Sequence, residues 1–140
     1  MSVQFFFLST SFSLKRRKEL KLFVSFIFRS EKRTLGSLTY IFCSDEYLLK
    51  INQDFLKHDF YTDIITFDMS SLRDEIEGEI YISIERVKEN SKEHGFTFNR
   101  ELHRVIFHGA LHLCGYKDKS PKEKAQMRMM EDRYLDLYFK

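Results

Sequence analysis

Two histidines and an aspartate near the C-terminal end of the sequence have the spacing of a metal site. His108 and His112 are four residues apart, so on an α-helix they differ by about 400° and lie on one face, a turn apart. Two imidazoles placed in this way can bind one metal ion. Gly115 can turn the chain out of the helix and bring Asp118 back toward them. Three protein ligands leave a fourth zinc position for water, as in catalytic zinc sites.

The same spacing also fits a purely structural helix. In that interpretation the two histidines are satisfied by hydrogen bonds in the core, and Asp118 lies in a solvated loop.

The residue after the first histidine argues against a protease. In HExxH enzymes this residue is the glutamate that acts as general base, whereas here it is Gly109. If a bound water is activated, the metal or an acid from elsewhere in the chain must activate it.

Two further residues close to the histidine pair are not expected to be ligands. His103 lies about 140° around the helix from His108, so we predict a surface or capping histidine. Cys114 lies about 200° from His112 and is expected to point into the core. The only other cysteine is Cys43, and the pair forms no CxxC motif. We therefore predict two reduced thiols in a cytoplasmic protein.

The hydrophobic pattern predicts an α+β fold that would position these residues. Periodicity indicates strands at residues 3–8, 38–43, 63–69 and 79–83, with an acidic loop at 74–78. Helices are predicted at 15–29, from Asp45 onward after Ser44, at 85–94, at 100–114 after an Asn99 cap, and from the Ser120 capping box to about residue 138. Strands and helices are interspersed, which is typical of a mixed class with about four strands and four or five helices.

Length and composition limit the number of domains and the classes of partner that the chain can have. The 140 residues suit one domain over 1–140, and 43% apolar residues suffice for a core. A net charge of +2 falls short of the strongly basic surface of a dedicated nucleic-acid binder. No run approaches the roughly 18 consecutive apolar residues that cross a bilayer, so no membrane association is expected.

The residues around the histidine pair resemble a known family. The sequence His108-Gly109-x-Leu111-His112-Leu113-x-Gly115-Tyr116 is similar to the signature of the YbeY family of zinc endoribonucleases. The resemblance continues in collinear order over roughly residues 36–135. It includes Asn52, Asp59, Thr62-Asp63-Ile64-Ile65-Thr66-Phe67, Gly78-Glu79-Ile80-Tyr81-Ile82-Ser83, Glu101-Leu102, Glu123, Ala125, Met127 and Glu131.

The resemblance implies a fold, a cofactor and a substrate. It implies a single zincin-like domain with a mixed sheet of about four strands. One Zn²⁺ ion would be held by His108, His112 and Asp118. The implied activity is that of a metal-dependent endoribonuclease, specific for single strands, that acts in maturation of the small-subunit rRNA 3′ end and in ribosome quality control. The implied partners are ribosomal RNA and the small ribosomal subunit, with no DNA, and the general base stays unassigned.

Two positions depart from the family pattern. The family usually has histidine as third ligand, and here Asp118 holds that place, which makes the site one unit more negative. The family's arginine near the metal aligns with Leu56, so Lys57, His58 or the lysines at 117–124 would have to supply the positive charge. Two alternatives therefore stay open: a metalloprotease-like hydrolase, and a non-enzymatic ribosome-assembly factor with a structural metal.

Overall fold

The computed structural model describes residues 3–8, 10–71 and 74–140, and over these it has an α+β fold with a four-stranded mixed sheet and five helices, as predicted. The strands are β1 (Val3–Phe7), β2 (Thr34–Cys43), β3 (Ile64–Asp68) and β4 (Glu75–Ser83). The helices are α1 (Arg17–Ser30), α2 (Asp45–Leu56), α3 (Ile84–His94), α4 (Phe98–Leu113) and α5 (Pro121–Tyr138).

The sheet has the order β1-β2-β4-β3. β1, β2 and β4 run parallel, and β3 pairs with β4 in the antiparallel sense at one edge. β4 begins at Glu75, so the acidic loop predicted at 74–78 is wrong. The residues that suggested a loop alternate in burial along the strand: Glu75 and Glu77 face solvent, while Ile76 and Gly78 face the core.

The two faces of the sheet are covered unequally. Helices α1 and α4 cover one face, and α5 packs on the outer side of α4. On this face the main core contains Leu38, Tyr40, Phe42, Ile76, Ile80 and Ile82 from the strands. On the other face α2 contributes to a smaller cluster of Cys43, Leu48, Ile51 and Ile65. The helix that carries the histidine pair is therefore held between the sheet and α5.

Two glycines allow α4 to lie close to the sheet. A Cβ atom on Gly109 would lie 2.7 Å from Cδ1 of Ile80, and a Cβ atom on Gly78 would lie 2.7 Å from Cδ1 of Leu113. Both distances are below any normal carbon–carbon contact. Gly109 therefore faces β4, so a glutamate in its place would meet the sheet.

The starts of α4 and α5 follow from capping side chains. Thr97 caps α4 by accepting the backbone N–H of Arg100, so the predicted Asn99 cap is wrong. The helix begins earlier because Phe98 packs against the main core. For α5 the predicted capping box is confirmed, with Ser120 and Glu123 bonded reciprocally. No helix in the described ranges combines the length and the apolar character needed to cross a membrane.

Candidate metal and RNA site

The predicted ligands meet at one cavity. A cleft of about 530 Å³ opens between β3, α3, α4, α5 and the segment that follows α4. Its lining includes all three predicted metal ligands and three further carboxylates, together with one lysine: His108, His112, Asp118, Asp63, Glu101, Glu131 and Lys124. The side chains of His108 and His112 come from successive turns of α4, as the four-residue spacing predicts.

His108 is fixed by a buried carboxylate on α5. Its Nδ1 lies 2.6 Å from Oε2 of Glu131, whose side chain is only 7% exposed. Because an ionised carboxylate can only accept, Nδ1 is the donor, which leaves Nε2 directed at the cavity. Burial alone would lower the pKa of His108, but the hydrogen bond and charge of Glu131, with the charges of Asp118 and Asp63, outweigh it and raise that pKa. This orientation of a ring by a carboxylate is typical of metal-binding histidines.

Asp118 reaches the same nitrogen from the loop after α4. Its Oδ2 lies 3.2 Å from Nε2 of His108. The loop turns at Gly115, whose φ of 112° places it in the region that favours glycine. Tyr116 follows this turn, and Asp118 comes two residues after Tyr116. The turn expected from Gly115 therefore brings the aspartate back to the histidine.

An anchor from α1 holds this loop in place. Glu31, which follows α1, accepts hydrogen bonds from the hydroxyl groups of Tyr116, at 2.7 Å, and of Tyr134. Arg33 donates from Nη1 to the backbone carbonyl of Cys114 at 3.0 Å. Burial and the neighbouring Glu31 carboxylate raise the pKa values of both tyrosines to about 12, so both hydroxyl groups stay protonated donors near neutral pH.

The donor set fits a zinc ion in its chemistry and in part in its geometry. Two ligands of a tetrahedral zinc with bonds near 2.0–2.1 Å lie roughly 3.3 Å apart. Nε2 of His108 lies 3.2 Å from Oδ2 of Asp118, which is close to that value. The rings of His108 and His112 are nearly parallel, at 7°, with centroids 6.3 Å apart. Over residues 3–8, 10–71 and 74–140, no three His, Cys, Asp or Glu side chains converge on one point. Binding of one zinc ion by all three ligands would therefore require a side-chain rotation, and His112 is the exposed histidine of the pair.

Sequence reasoning missed the charged pair behind His108. Arg104, one turn earlier on α4, donates from Nη1 to Oε1 of Glu131 at 2.9 Å and from Nη2 to Asp132 at 2.7 Å. Arg104 and Glu131 are both buried, so the ion pair is shielded from water. The partners are 27 and 28 residues apart in the sequence, and only the packing of α5 on α4 brings them together.

Two carboxyl groups in the cleft were given no role from the sequence. Burial raises the pKa of Asp63, against a lowering contribution from the charge of His108. Burial also raises the pKa of Glu101, against the charge of Arg104. Both line the cavity, and a carboxyl with a raised pKa exchanges protons closer to neutral pH than an ordinary one.

The predicted cationic helpers divide between the cleft and the surface outside it. Lys57 donates to the carbonyl of Asp54 and is exposed at the end of α2. His58 stacks on Phe60. Neither lines the cleft, whereas Lys124, from the lysines at 117–124, does.

The two residues that were not expected to be ligands are both in the interior. His103 is 4% exposed, and its Nδ1 lies 2.7 Å from the carbonyl of Asn99, so the predicted surface or capping position is wrong. The aromatic rings of Tyr138 and Phe139 cover it. Cys114 is buried in the main core, as predicted.

Together these features define an α+β protein whose cleft is built on paired histidines of a buried helix and supported by a carboxylate from the next helix. The family model "Endoribonuclease YbeY" matches residues 9–138. Endoribonuclease YbeY of Cytophaga hutchinsonii is 52% identical over 136 residues, covering 97% of this chain and 95% of the relative. That of Flavobacterium psychrophilum is 50% identical over 127 residues, covering 91% and 90%.

A solved structure shares the fold. The solution structure of TM1509 from Thermotoga maritima has a TM-score of 0.66 and 29% identity, covering 96% of this chain and 89% of that chain. The chain belongs to the YbeY endoribonuclease family. This membership supports an endoribonuclease role, that of a hydrolase acting on RNA.

Proposed function

We propose that this protein is a zinc-dependent endoribonuclease that cleaves single-stranded RNA, with His108, His112 and Asp118 as the ligands of one zinc ion. The observation that carries the proposal is the contact of Nε2 of His108 with Asp118 while Nδ1 is bonded to Glu131. Family membership over residues 9–138 supports the reaction class. A bound zinc ion would supply an activated water and a Lewis acid for the phosphodiester.

The residues of the chain have separate tasks in this proposal. Glu131 keeps His108 in the tautomer that presents Nε2 to the cleft. Asp63 and Glu101 hold or accept protons at the wall of the cleft. Lys124 offers a positive charge to the substrate phosphate, whose negative charge grows in the transition state.

The alternatives predict different chemistry. Gly109 faces Ile80 and Ile64 in the sheet, so this position cannot provide the base that an HExxH protease uses. A non-enzymatic assembly factor is favoured by one observation: Leu56, which aligns with the family's arginine, is followed by Lys57 and His58, neither of which lines the cleft. Such a factor would bind RNA and zinc without cleaving.

The cellular part of the proposal follows from the resemblance. We place the activity in maturation of the small-subunit rRNA 3′ end and in ribosome quality control, with rRNA and the small subunit as partners, in the cytoplasm. A single domain over residues 1–140 is part of the same proposal, supported by the family match over nearly the whole chain.

A cleavage assay with matched histidine variants tests the proposal. Purified protein is incubated with a 5′-labelled single-stranded RNA after removal of metal and again after addition of one equivalent of zinc. We expect cleavage only with zinc, loss of cleavage in His112→Ala, and full cleavage in His58→Ala, which changes an exposed histidine outside the cleft. Zinc-independent cleavage would refute metal dependence. Binding of RNA and zinc without cleavage would establish the assembly factor instead, and cleavage of a casein substrate would establish the protease.

A further inference from the structure

A second, more open cavity adjoins the histidine cleft. Its volume is about 640 Å³, and it shares His94, Arg104 and Arg128 with the cleft, so the two cavities are neighbours with a common wall. Its remaining lining comes from the α3–α4 connection, from α4 and from α5: Phe96, Arg100, Asp132 and Asp136. The second cavity therefore lies beside any strand of RNA that is bound over the histidines.

Phe96 presents an aromatic ring to this cavity from a fixed backbone. Gly95 ends α3 in the left-handed region, with φ 74°, and the N–H of Phe96 then donates to the carbonyl of Ser91 at 3.0 Å. The ring nevertheless remains exposed, since 42% of Phe96 is accessible to solvent. One side of the ring lies 5.8 Å from Cζ of Arg104. An anchored, half-exposed ring of this kind can stack on an unpaired base.

The arginines of the cavity differ in how far their charges are already neutralised. Arg104 is buried and bonded to both Glu131 and Asp132, so its charge is balanced. Arg128 has a side chain that is 54% exposed, and its Nη1 lies 3.9 Å from Glu131, beyond hydrogen-bond distance. The charge of Arg128 is therefore available to a phosphate.

Arg100 is the second weakly paired arginine of the cavity, and 36% of its side chain is exposed. Its Nη2 lies 3.6 Å from Oδ1 of Asp136, whose side chain is 75% exposed. An exposed pair at this distance contributes little, so a phosphate can replace the carboxylate at small cost. Asp132 is already paired with Arg104. Arg100 and Arg128 are therefore the arginines of this cavity that an incoming phosphate would contact.

A chain of contacts connects the second cavity to the histidines. His108 contacts Glu131, Glu131 contacts Arg104, and the guanidinium of Arg104 lies beside Phe96. The stacking surface is therefore connected to the predicted metal ligand through two buried side chains, Glu131 and Arg104. A base bound on Phe96 would fix the position of the adjoining phosphate over the cleft.

We propose that the second cavity is a nucleotide subsite, in which Phe96 stacks on the unpaired base that flanks the scissile phosphate while Arg128, with Arg100, binds that nucleotide's phosphate. This inference rests on the proposed endoribonuclease function and specifies its substrate. Only an unpaired base can leave its neighbours and stack on a protein ring, so the subsite selects single strands over duplexes.

Binding measurements on a variant that does not cleave test the subsite. In a His112→Ala background, the affinity for a short labelled single-stranded RNA is measured by fluorescence anisotropy. We expect Phe96→Ala and Phe96→Leu to weaken binding about tenfold or more, and Phe96→Tyr to retain it, because stacking requires a ring. Phe55→Ala, which removes a 69% exposed phenylalanine from α2, is the matched control and should leave the affinity unchanged.

The role of Arg128 is tested by the salt dependence of RNA binding. Arg128→Ala should lower the slope of log affinity against log salt by roughly 0.7, the contribution of one phosphate contact to a single strand. Arg133→Ala, an exposed arginine on the same helix that does not line the cavity, should leave the slope unchanged.

An abasic scan of the RNA locates the stacked base. At one position next to the cleavage site, removal of the base should weaken RNA binding to the protein that retains Phe96. The same abasic RNA and the intact RNA should bind equally to the Phe96→Ala variant. In the protein that retains His112, Phe96→Ala should raise KM while kcat changes little. Equal affinities of the Phe96→Ala and Phe55→Ala variants in the His112→Ala background, while the unmodified protein binds and cleaves RNA, would overturn the subsite and leave the endoribonuclease proposal intact. Absence of both RNA binding and cleavage in the unmodified protein would refute both.

Discussion

Replacing Glu131 by glutamine should weaken the fold and the metal site together. The carboxylate accepts from Nδ1 of His108 and from Nη1 of Arg104, and it is buried. Glutamine keeps one acceptor oxygen, but its NH₂ group, which cannot accept, would face the N–H of either His108 or Arg104. Breaking a buried ion pair of this kind costs about 3–5 kcal/mol, and the retained oxygen favours the lower end. With roughly 3 °C lost per kcal/mol in a domain of this size, Tm should fall by about 10 °C.

The metal affinity supplies the second measurement for Glu131→Gln. Loss of a carboxylate that orients a ligating histidine usually lowers metal affinity by about 10- to 100-fold. Asp132→Asn is the matched control, because Asp132 contacts the same Arg104 but its side chain is 48% exposed and does not touch His108 in the hydrogen bonds described. It should cost no more than about 1 kcal/mol and leave zinc affinity unchanged.

The assays for this pair follow from the composition. Because the chain has seven tyrosines and no tryptophan, unfolding is followed by far-UV circular dichroism or tyrosine fluorescence, and zinc affinity by competition with a chelating dye. Equal effects of the two variants on Tm and on zinc affinity would refute the assigned role of Glu131. A fall in Tm with unchanged zinc affinity would show that the carboxylate supports α5 alone.

Three further outcomes are expected. Asp118→Ala should lower zinc stoichiometry measured by plasma mass spectrometry while leaving the circular dichroism spectrum intact; an unchanged stoichiometry would place the third ligand elsewhere. Gly109→Ala should cost about 1–3 kcal/mol in urea unfolding, because the new methyl group meets Ile80, and an unchanged midpoint would contradict the close packing of α4 on the sheet. Burial, with nearby carboxylates, raises the pKa values of Cys43 and Cys114 to about 12. At pH 8 both thiols should therefore react slowly with Ellman's reagent in the folded protein and rapidly in denaturant without added reductant. Detection of fewer than two thiols in denaturant would contradict the prediction that both cysteines are reduced.

Local patterns predicted the parts of the site that one element carries. The four-residue spacing of His108 and His112 and the turn at Gly115 depend on helix geometry and backbone conformation, which act over a few residues. The capping box at Ser120 is likewise local, and the structure confirms it. Class and strand number followed from the same short-range periodicity.

Tertiary packing decided what the sequence left open or predicted wrongly. His103 is buried because Tyr138 and Phe139, more than thirty residues away, pack over it. The support of His108 by Glu131 depends on how α5 lies on α4, which no pattern within either helix specifies. The strand at Glu75 was obscured because its outward side chains are acidic, and only pairing with β2 identifies it.

The anchor formed by Glu31 has a consequence for the order in which the protein becomes active during synthesis. The residue follows the first helix, yet its two tyrosine partners and the groups around the cleft, His108, Asp118 and Glu131, all come much later in the chain and are translated after it. Chains emerge N-terminal part first, so the acceptor for the loop is in place before the loop exists. A ribosome-bound chain that still lacks α5 therefore lacks both Glu131 and the hydroxyl group of Tyr134, and the proposed nuclease stays inactive until translation of α5 is complete.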